Sequence, residues 1–154
     1  MFNIVLLEPE IPQNTGNIGR TCLLTGSRLH LIRPFKFSIS EKALRRSGLD
    51  YWEHVDLVVH DSYEDFIDSV KDGRVFYVET FGEKYYHEVE FHDGDYLVFG
   101  KESTGIDREI IDDNFEFCIK VPMIKDIDRS LNLANTANIV LFEALRQTGF
   151  TGMI

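Results

Sequence analysis

The sequence predicts an α/β fold, with a mostly parallel sheet flanked by helices, and three observations predict it. Short apolar runs rich in Val, Ile, Leu and Phe recur along the chain, as strands buried on both faces require. Segments with helical spacing separate them, which implies strand–helix–strand units. Turn residues such as Asp72-Gly73 and His92-Asp93-Gly94-Asp95 mark the joins. The 154 residues fit one domain, 1–154, large enough to bury a core without staples.

The elements follow in order. Residues 2–7 form an apolar first strand, broken by Glu8-Pro9-Glu10-Ile11-Pro12. Asn14-Thr15-Gly16-Asn17 is expected to be a loop, with a helix running on to about Thr25 and stopped by Gly26. A second strand spans 29–32. Ser40 is the expected N-cap of a helix over 41–47 that ends at Gly48. A third strand covers 55–59, a helix 62–70, and a fourth strand 75–78. Residues 85–91 form a minor strand and 96–99 a fifth. A short helix is expected over 107–112 and a sixth strand over 117–121. The longest helix is expected over 130–148, with Ser130 as N-cap. Its residues Leu133, Ala137, Val140, Leu141, Ala144 and Leu145 share one apolar face.

Charge narrows the function classes. The net charge is −10 and the pI about 4.9, which excludes a protein that coats nucleic acid generally. The basic excess is local: Arg33, Lys36, Lys42, Arg45 and Arg46 stand against Glu41 alone, with Phe35 and Phe37 between them. Such cations neutralise phosphates, and aromatic faces stack on unpaired bases. The same pattern also suits a solvated helix start beside two core phenylalanines. Two cysteines, Cys22 and Cys118, are too few for a disulfide framework and are expected to be reduced, as in a cytoplasmic protein. No apolar run approaches the ~18 residues of a membrane span, and the N-terminus lacks the basic start of a signal peptide. The five histidines have no metal-ligand spacing, so no metal is expected.

Three clusters carry chemistry. Asn14-Thr15-Gly16-Asn17-Ile18-Gly19-Arg20 follows the first strand, where glycines could let backbone approach an anion. It lacks the first glycine of the dinucleotide fingerprint. Gly16-Asn17-Ile18-Gly19 could instead act as an RNA-clamping loop. Arg20 on this otherwise apolar segment is either paired to an acid or held for a phosphate. Phe99-Gly100-Lys101-Glu102-Ser103-Thr104-Gly105 ends the fifth strand, at the sheet edge where α/β ligands bind. Glu102 interrupts the lysine–serine step of a phosphate loop, which disfavours a nucleotide hydrolase. Glu102 could accept hydrogen bonds from Arg20 instead. The third cluster is Val121-Pro122-Met123 with Arg129-Ser130-Leu131-Asn132-Leu133-Ala134-Asn135. Taken alone it is a strand–loop–helix join, although its asparagines suggest something polar at the helix start.

In this order and spacing the three clusters resemble the motifs of the SPOUT superfamily of RNA methyltransferases, over essentially the whole chain. The segments Ile4-Val5-Leu6-Leu7-Glu8-Pro9-Glu10-Ile11-Pro12 and Leu44-Arg45-Arg46-Ser47-Gly48-Leu49-Asp50-Tyr51 resemble its single-domain, TrmL-like branch of tRNA wobble-nucleotide 2'-O-methyltransferases. The resemblance implies a deep trefoil knot in the C-terminal third, a topology that general rules make very rare. It implies S-adenosylmethionine held at Val78, Gly100, Val121 and Ser130, and a homodimer packed through the first and last helices. It gives Arg20 the central catalytic role, oriented by Asn14 and Glu102, with Asn132 and Ser130 positioning ribose or cofactor. The implied substrate is a tRNA anticodon stem-loop, methylated at cytidine or uridine 34. Departures from the pattern are Ala134 and Thr21, where a serine and a bulkier residue are common, and one extra residue between Met123 and Ser130. A non-catalytic RNA-binding module, using the glycine clamp and the basic patch, is the rival class.

Overall fold

A computed structural model describes residues 1–40 and 49–154. The expected helix over 41–47, with Lys42, Arg45 and Arg46, lies outside the described residues. Seven strands form one sheet: β1 (Asn3–Leu7), β2 (Arg28–Ile32), β3 (Leu57–His60), β4 (Val75–Val78), β5 (Lys84–Tyr85), β6 (Tyr96–Gly100) and β7 (Cys118–Lys120). Their order is β3-β2-β1-β6-β4-β7-β5 and each neighbouring pair is parallel. The four described α-helices are α1 (Pro12–Thr25), α2 (Tyr63–Ser69), α3 (Arg108–Asp113) and α4 (Leu133–Gln147).

Both faces of the sheet are covered, which is why its strands read as continuous apolar runs rather than alternating ones. Phe2, Ile4, Leu6, Leu29, Leu31, Leu97 and Phe99 pack with α1 and α4 on one face. Val5, Leu7, Ile32, Tyr77 and Val98 pack with Phe66 of α2 and Ile111 of α3 on the other. The apolar face of α4 is spent here: Ala137, Val140, Leu141, Ala144 and Leu145 are buried in the chain's own core. It therefore gives no outlet to a second copy. The apolar side chains that α1 and α4 leave exposed are Leu24, Ile139 and Phe142.

Several boundaries differ from the sequence expectation. Residues 14–17 are helix, not loop, because α1 starts at Pro12, whose missing N–H is no loss at a first helical position. The end is as expected, with Gly26 left-handed at φ 63°. The start of α4 moves the other way: Asn132, not Ser130, is its N-cap, and its Oδ1 accepts from the amides of Ala134 (2.9 Å) and Asn135 (3.2 Å). The minor strand shrinks to the two residues of β5.

The strand order fixes where a site can form. From β1 the chain turns outward to β2 and β3, then later places β6 on the other side of β1. The crevice at such a switch, outside the carboxyl ends of the strands, is where ligands of open α/β sheets bind. The connections after β1, β4, β6 and β7 all emerge there.

Candidate active site

The connections after β1 and β6 are tied together by exchanged carboxylates. Glu102, just beyond β6, accepts from the backbone amides of Glu10 (2.9 Å) and Ile11 (3.0 Å), directly before α1. A carboxylate at a helix N-terminus meets free amides and the positive end of the macrodipole. Glu10 answers by accepting from the Ser103 amide (3.0 Å) and hydroxyl (2.7 Å), which hold its carboxyl below the usual carboxylate range. The Glu102 carboxylate also takes Nδ2 of Asn14 at 3.4 Å. Oδ1 of Asn14, a buried residue, accepts from Nδ2 of Asn132 at 2.9 Å. Glu102, Asn14 and Asn132 thus form one relay from β6 through α1 to α4.

This relay separates two adjoining cavities. The first, of about 470 Å³, lies at the carboxyl ends of β4, β6 and β7. Val78, Gly100, Val121 and Ser130, the four positions that the resemblance gives to the cofactor, all line it. Gly100 has φ 156°, and a Cβ there would stand 2.4 Å from the Leu7 carbonyl oxygen, so only glycine lets β6 leave the sheet this close to β1. Lys101 also lines this cavity, but its ammonium is bound to Glu8 (2.7 Å) and Asp107 (3.2 Å). The Glu8 bond chiefly raises its pKa, against the effect of burial.

The second cavity, of about 480 Å³, is polar and holds Arg20 with Asn14, Asn17, Asn132, Asn135 and Asn138. Arg20 is exposed, and its guanidinium carbon lies 5.7 Å from the centre of the Tyr51 ring. Tyr51 is held in turn, donating its hydroxyl to the Gly16 carbonyl at 2.8 Å. Glu102 does not accept from Arg20: its oxygens serve the start of α1 and Asn14, and Arg20 forms no ion pair with a described residue. The expected acid partner is replaced by an aromatic face.

The glycine clamp is not formed. Gly16 and Gly19 lie within α1 and are buried, where an added Cβ would meet Leu49 at 2.9 Å and Trp52 at 2.5 Å. Their lack of a side chain serves packing against the 49–52 segment, so the module built on that clamp loses its device. Of the basic window, Arg33 and Lys36 are exposed on the connection after β2, and Arg33 lies over the Phe35 ring at 5.1 Å. Phe35 packs on the core and stacks on Phe37 with centroids 5.3 Å apart. No group of three metal-ligating side chains occurs among the described residues, and no described helix is long and apolar enough to cross a membrane.

Sequence reasoning missed two residues. Tyr51 sits under Arg20, and nothing local marks it. Glu79 lines the first cavity and is half-buried. Its signal was available: it is the acidic residue immediately after β4, at a strand end of the kind that binds ligands.

The comparisons with known proteins agree with this geometry. The model of the SpoU rRNA methylase family matches residues 1–142. A tRNA (cytidine(34)-2'-O)-methyltransferase of Saccharophagus degradans is 48% identical over 153 residues, covering 99% of each chain. The enzyme of the same name from Escherichia coli K12 is 45% identical over 155 residues, covering 100% of this chain and 98% of its own. A solved structure described as giving insight into the 2-OH methylation of C/U34 on tRNA superposes with a TM-score of 0.88, at 46% identity and 96% coverage of both chains. With its parallel sheet, its paired cavities and this match over most of its length, the chain belongs to the SpoU rRNA methylase family of methyltransferases.

Proposed function

We propose that the chain transfers a methyl group from S-adenosylmethionine to the ribose 2'-hydroxyl of cytidine or uridine 34 in tRNA. The observation that carries this reading is the Glu102–Asn14–Asn132 relay, which sets a cavity of nucleoside size directly beside a polar one containing Arg20.

The residues of the first cavity fit the donor. Its volume lies in the range of small-molecule sites. Val78, Val121 and Leu133 give apolar surface for a purine, and Gly100 lines the same cavity. Ser130 and Leu131, on the segment before α4, also line it. When bound, the donor supplies an electrophilic methyl on a sulfonium. The protein then has to bring the 2'-oxygen into line, worth a large share of the barrier, and let the hydroxyl proton leave. Arg20, held against Tyr51, clamps the phosphate beside the target ribose and stabilises the developing oxyanion. A guanidinium stays protonated in water and is a poor base, so solvent takes the proton. Asn14 and Asn132 hold the ribose between the cavities, and Glu102 fixes Asn14. The C–S bond breaks as the O–C bond forms, leaving the neutral thioether.

The tRNA is gripped by Arg33 and Lys36 and by Lys42, Arg45 and Arg46. The anticodon stem-loop suits such a grip, since its unpaired bases can splay out. The whole chain, 1–154, acts as one domain and pairs with a second copy through α1 and α4, with Leu24, Ile139 and Phe142 as the supporting surface. The two free, buried cysteines support a cytoplasmic setting. A trefoil knot in the C-terminal third is supported at Gly82. There the connection between β4 and β5 runs so close across β7 that a Cβ would meet the Cys118 oxygen at 2.8 Å. β7 lies between β4 and β5 in the sheet, so a later strand is inserted between two laid down before it, an order compatible with such a knot.

Nucleoside mass spectrometry tests the reading. Purified protein, S-adenosylmethionine and unmodified tRNA should yield 2'-O-methylcytidine or 2'-O-methyluridine at position 34. Methylation of a base, or of ribose at another position, would overturn it.

A further inference from the structure

The first cavity contains three charged side chains, and two are already satisfied. The Lys101 ammonium is bound by Glu8 and Asp107. The Glu102 carboxylate is spent on the amides of Glu10 and Ile11 and on Asn14. The third is Glu79, at the end of β4. Its carboxylate accepts from the amides of Ile106 (2.6 Å) and Thr80 (3.2 Å), and no described cation pairs with it. Gly105, at φ 74°, passes so close that a Cβ would stand 2.3 Å from Oε1 of Glu79. The carboxylate is therefore fixed in place by backbone on the cavity wall.

A half-buried anion without a cationic partner is costly. Burial accordingly pushes the Glu79 carboxyl above the usual carboxylate range, against the pull of the two amides. Two backbone amides would be capped as well by a neutral amide or hydroxyl, so holding the Ile106 loop does not require the charge. A cationic ligand in the cavity would use it. The proposed donor carries a sulfonium, and the thioether left after transfer does not, while their adenosine and amino-acid parts are the same.

We propose that Glu79 is a specificity-determining residue of this cavity, its fixed charge favouring the sulfonium donor over the neutral thioether product. This rests on the proposed methyl transfer. It gives product release a physical cause, since the attraction that holds the donor vanishes once the methyl group has left.

The test is calorimetric titration of the full chain with S-adenosylmethionine, S-adenosylhomocysteine and sinefungin, whose ammonium replaces the sulfonium. The unaltered protein should bind the two cationic ligands more tightly than the neutral one. Glu79→Gln keeps an acceptor for the Ile106 amide and removes the charge. It should weaken S-adenosylmethionine and sinefungin by about tenfold or more, the scale of one partly desolvated charge pair, and leave S-adenosylhomocysteine within about twofold. Glu79→Asp, which keeps the charge, should preserve the order of the three affinities. Equal weakening of all three ligands in Glu79→Gln would mean that the residue holds the loop or a part common to the three, and would overturn the proposal, as would no change. A wild-type protein that binds none of the three would overturn the proposed methyl transfer itself.

Discussion

Nδ2 of Asn132 donates to Oδ1 of Asn14 across 2.9 Å, joining residues 118 positions apart at the wall between the two cavities. The same Asn132 caps α4 with its Oδ1, so one amide group both starts a helix and positions its neighbour. Asn132→Ala should cost about 1 kcal/mol of stability, the usual effect of removing an N-cap. Asn132→Asp keeps the cap and removes the donor to Asn14. It should melt near the wild-type temperature while methylating tRNA more slowly. Equal activity of Asn132→Asp and wild type would show that this hydrogen bond does not serve the reaction.

Arg20 is expected to carry the transfer. Arg20→Ala and Arg20→Lys should fold and bind S-adenosylmethionine as before, since Arg20 lines only the second cavity. Turnover should fall by about a hundredfold, the scale for one preorganised charge-stabilising donor. Lysine is not expected to rescue, because it lacks the planar fork that can span two oxygens. Near-normal turnover of Arg20→Ala at saturating tRNA would refute the assignment.

The helical glycines are packing residues, and substitution should be felt as reduced stability. Gly19→Ala places a methyl 2.5 Å from Cζ3 of Trp52, an approach that must be relieved by movement. A decrease of about 1–3 kcal/mol is expected, as for other overpacked cores. Urea denaturation reads it directly, and an unchanged midpoint would contradict the packing at this site.

Stability should fall on mild acidification because of a histidine pair remote from the cavities. His30 Nδ1 lies 2.9 Å from Nε2 of His60, and His30 Nε2 lies 3.2 Å from Oδ1 of Asn3. Oδ1 can only accept, so His30 Nε2 carries the proton and His60 Nε2 donates to His30 Nδ1. Burial lowers the His30 pKa to about 4, with the charge of His60 acting the same way, and burial lowers that of His60 as well. A folded value below the unfolded one means that the unfolded chain binds the proton first. The stabilisation is complete above about pH 6.5 and is lost as the pH falls from there towards 4. By pH 5 the loss from His30 is about 2 kcal/mol. A urea midpoint that stays flat between pH 7 and pH 5 would oppose this.

The basic cluster beyond β2 should report itself through salt. Replacing Arg45 and Arg46 by alanine should weaken tRNA binding and reduce the slope of log affinity against log salt by roughly 0.7–0.9 for each phosphate that is no longer neutralised. Donor affinity should not change. An unaltered slope would remove these two residues from the interface.

The inner strands β1, β4 and β6 were legible because they are buried on both faces and so spell apolar runs, and all three stand within a residue of their expected bounds. The start of α1 was not. Asn14, Thr15, Gly16 and Asn17 read as loop, and what lets them begin a helix is Glu102, about ninety residues away, satisfying the amides that precede it. A local window cannot contain that carboxylate. The start of α4 was misplaced for a nearer reason: Ser130 and Asn132 are both good caps by residue type, and it is Asn132 that accepts from the first amides of the helix while its Nδ2 is held by Asn14. The clustering of Val78, Gly100, Val121 and Ser130 follows from the resemblance and from strand ends meeting at one edge. The aromatic support of Arg20 by Tyr51 depends on a tertiary approach that no spacing announces.

The two carboxylates exchanged between the segments after β1 and β6 also bear on motion. Each segment supplies an acid and receives the other's, Glu10 to Ser103 and Glu102 to Glu10 and Ile11. Neither can swing outward alone, because displacing Glu102 strips the start of α1 and displacing Glu10 releases Ser103. The rim shared by the two cavities is thus braced as a single rigid strut. The irregular stretch between β7 and α4, where Ile124 and Ile127 face solvent, has no such exchange of carboxylates among the described residues.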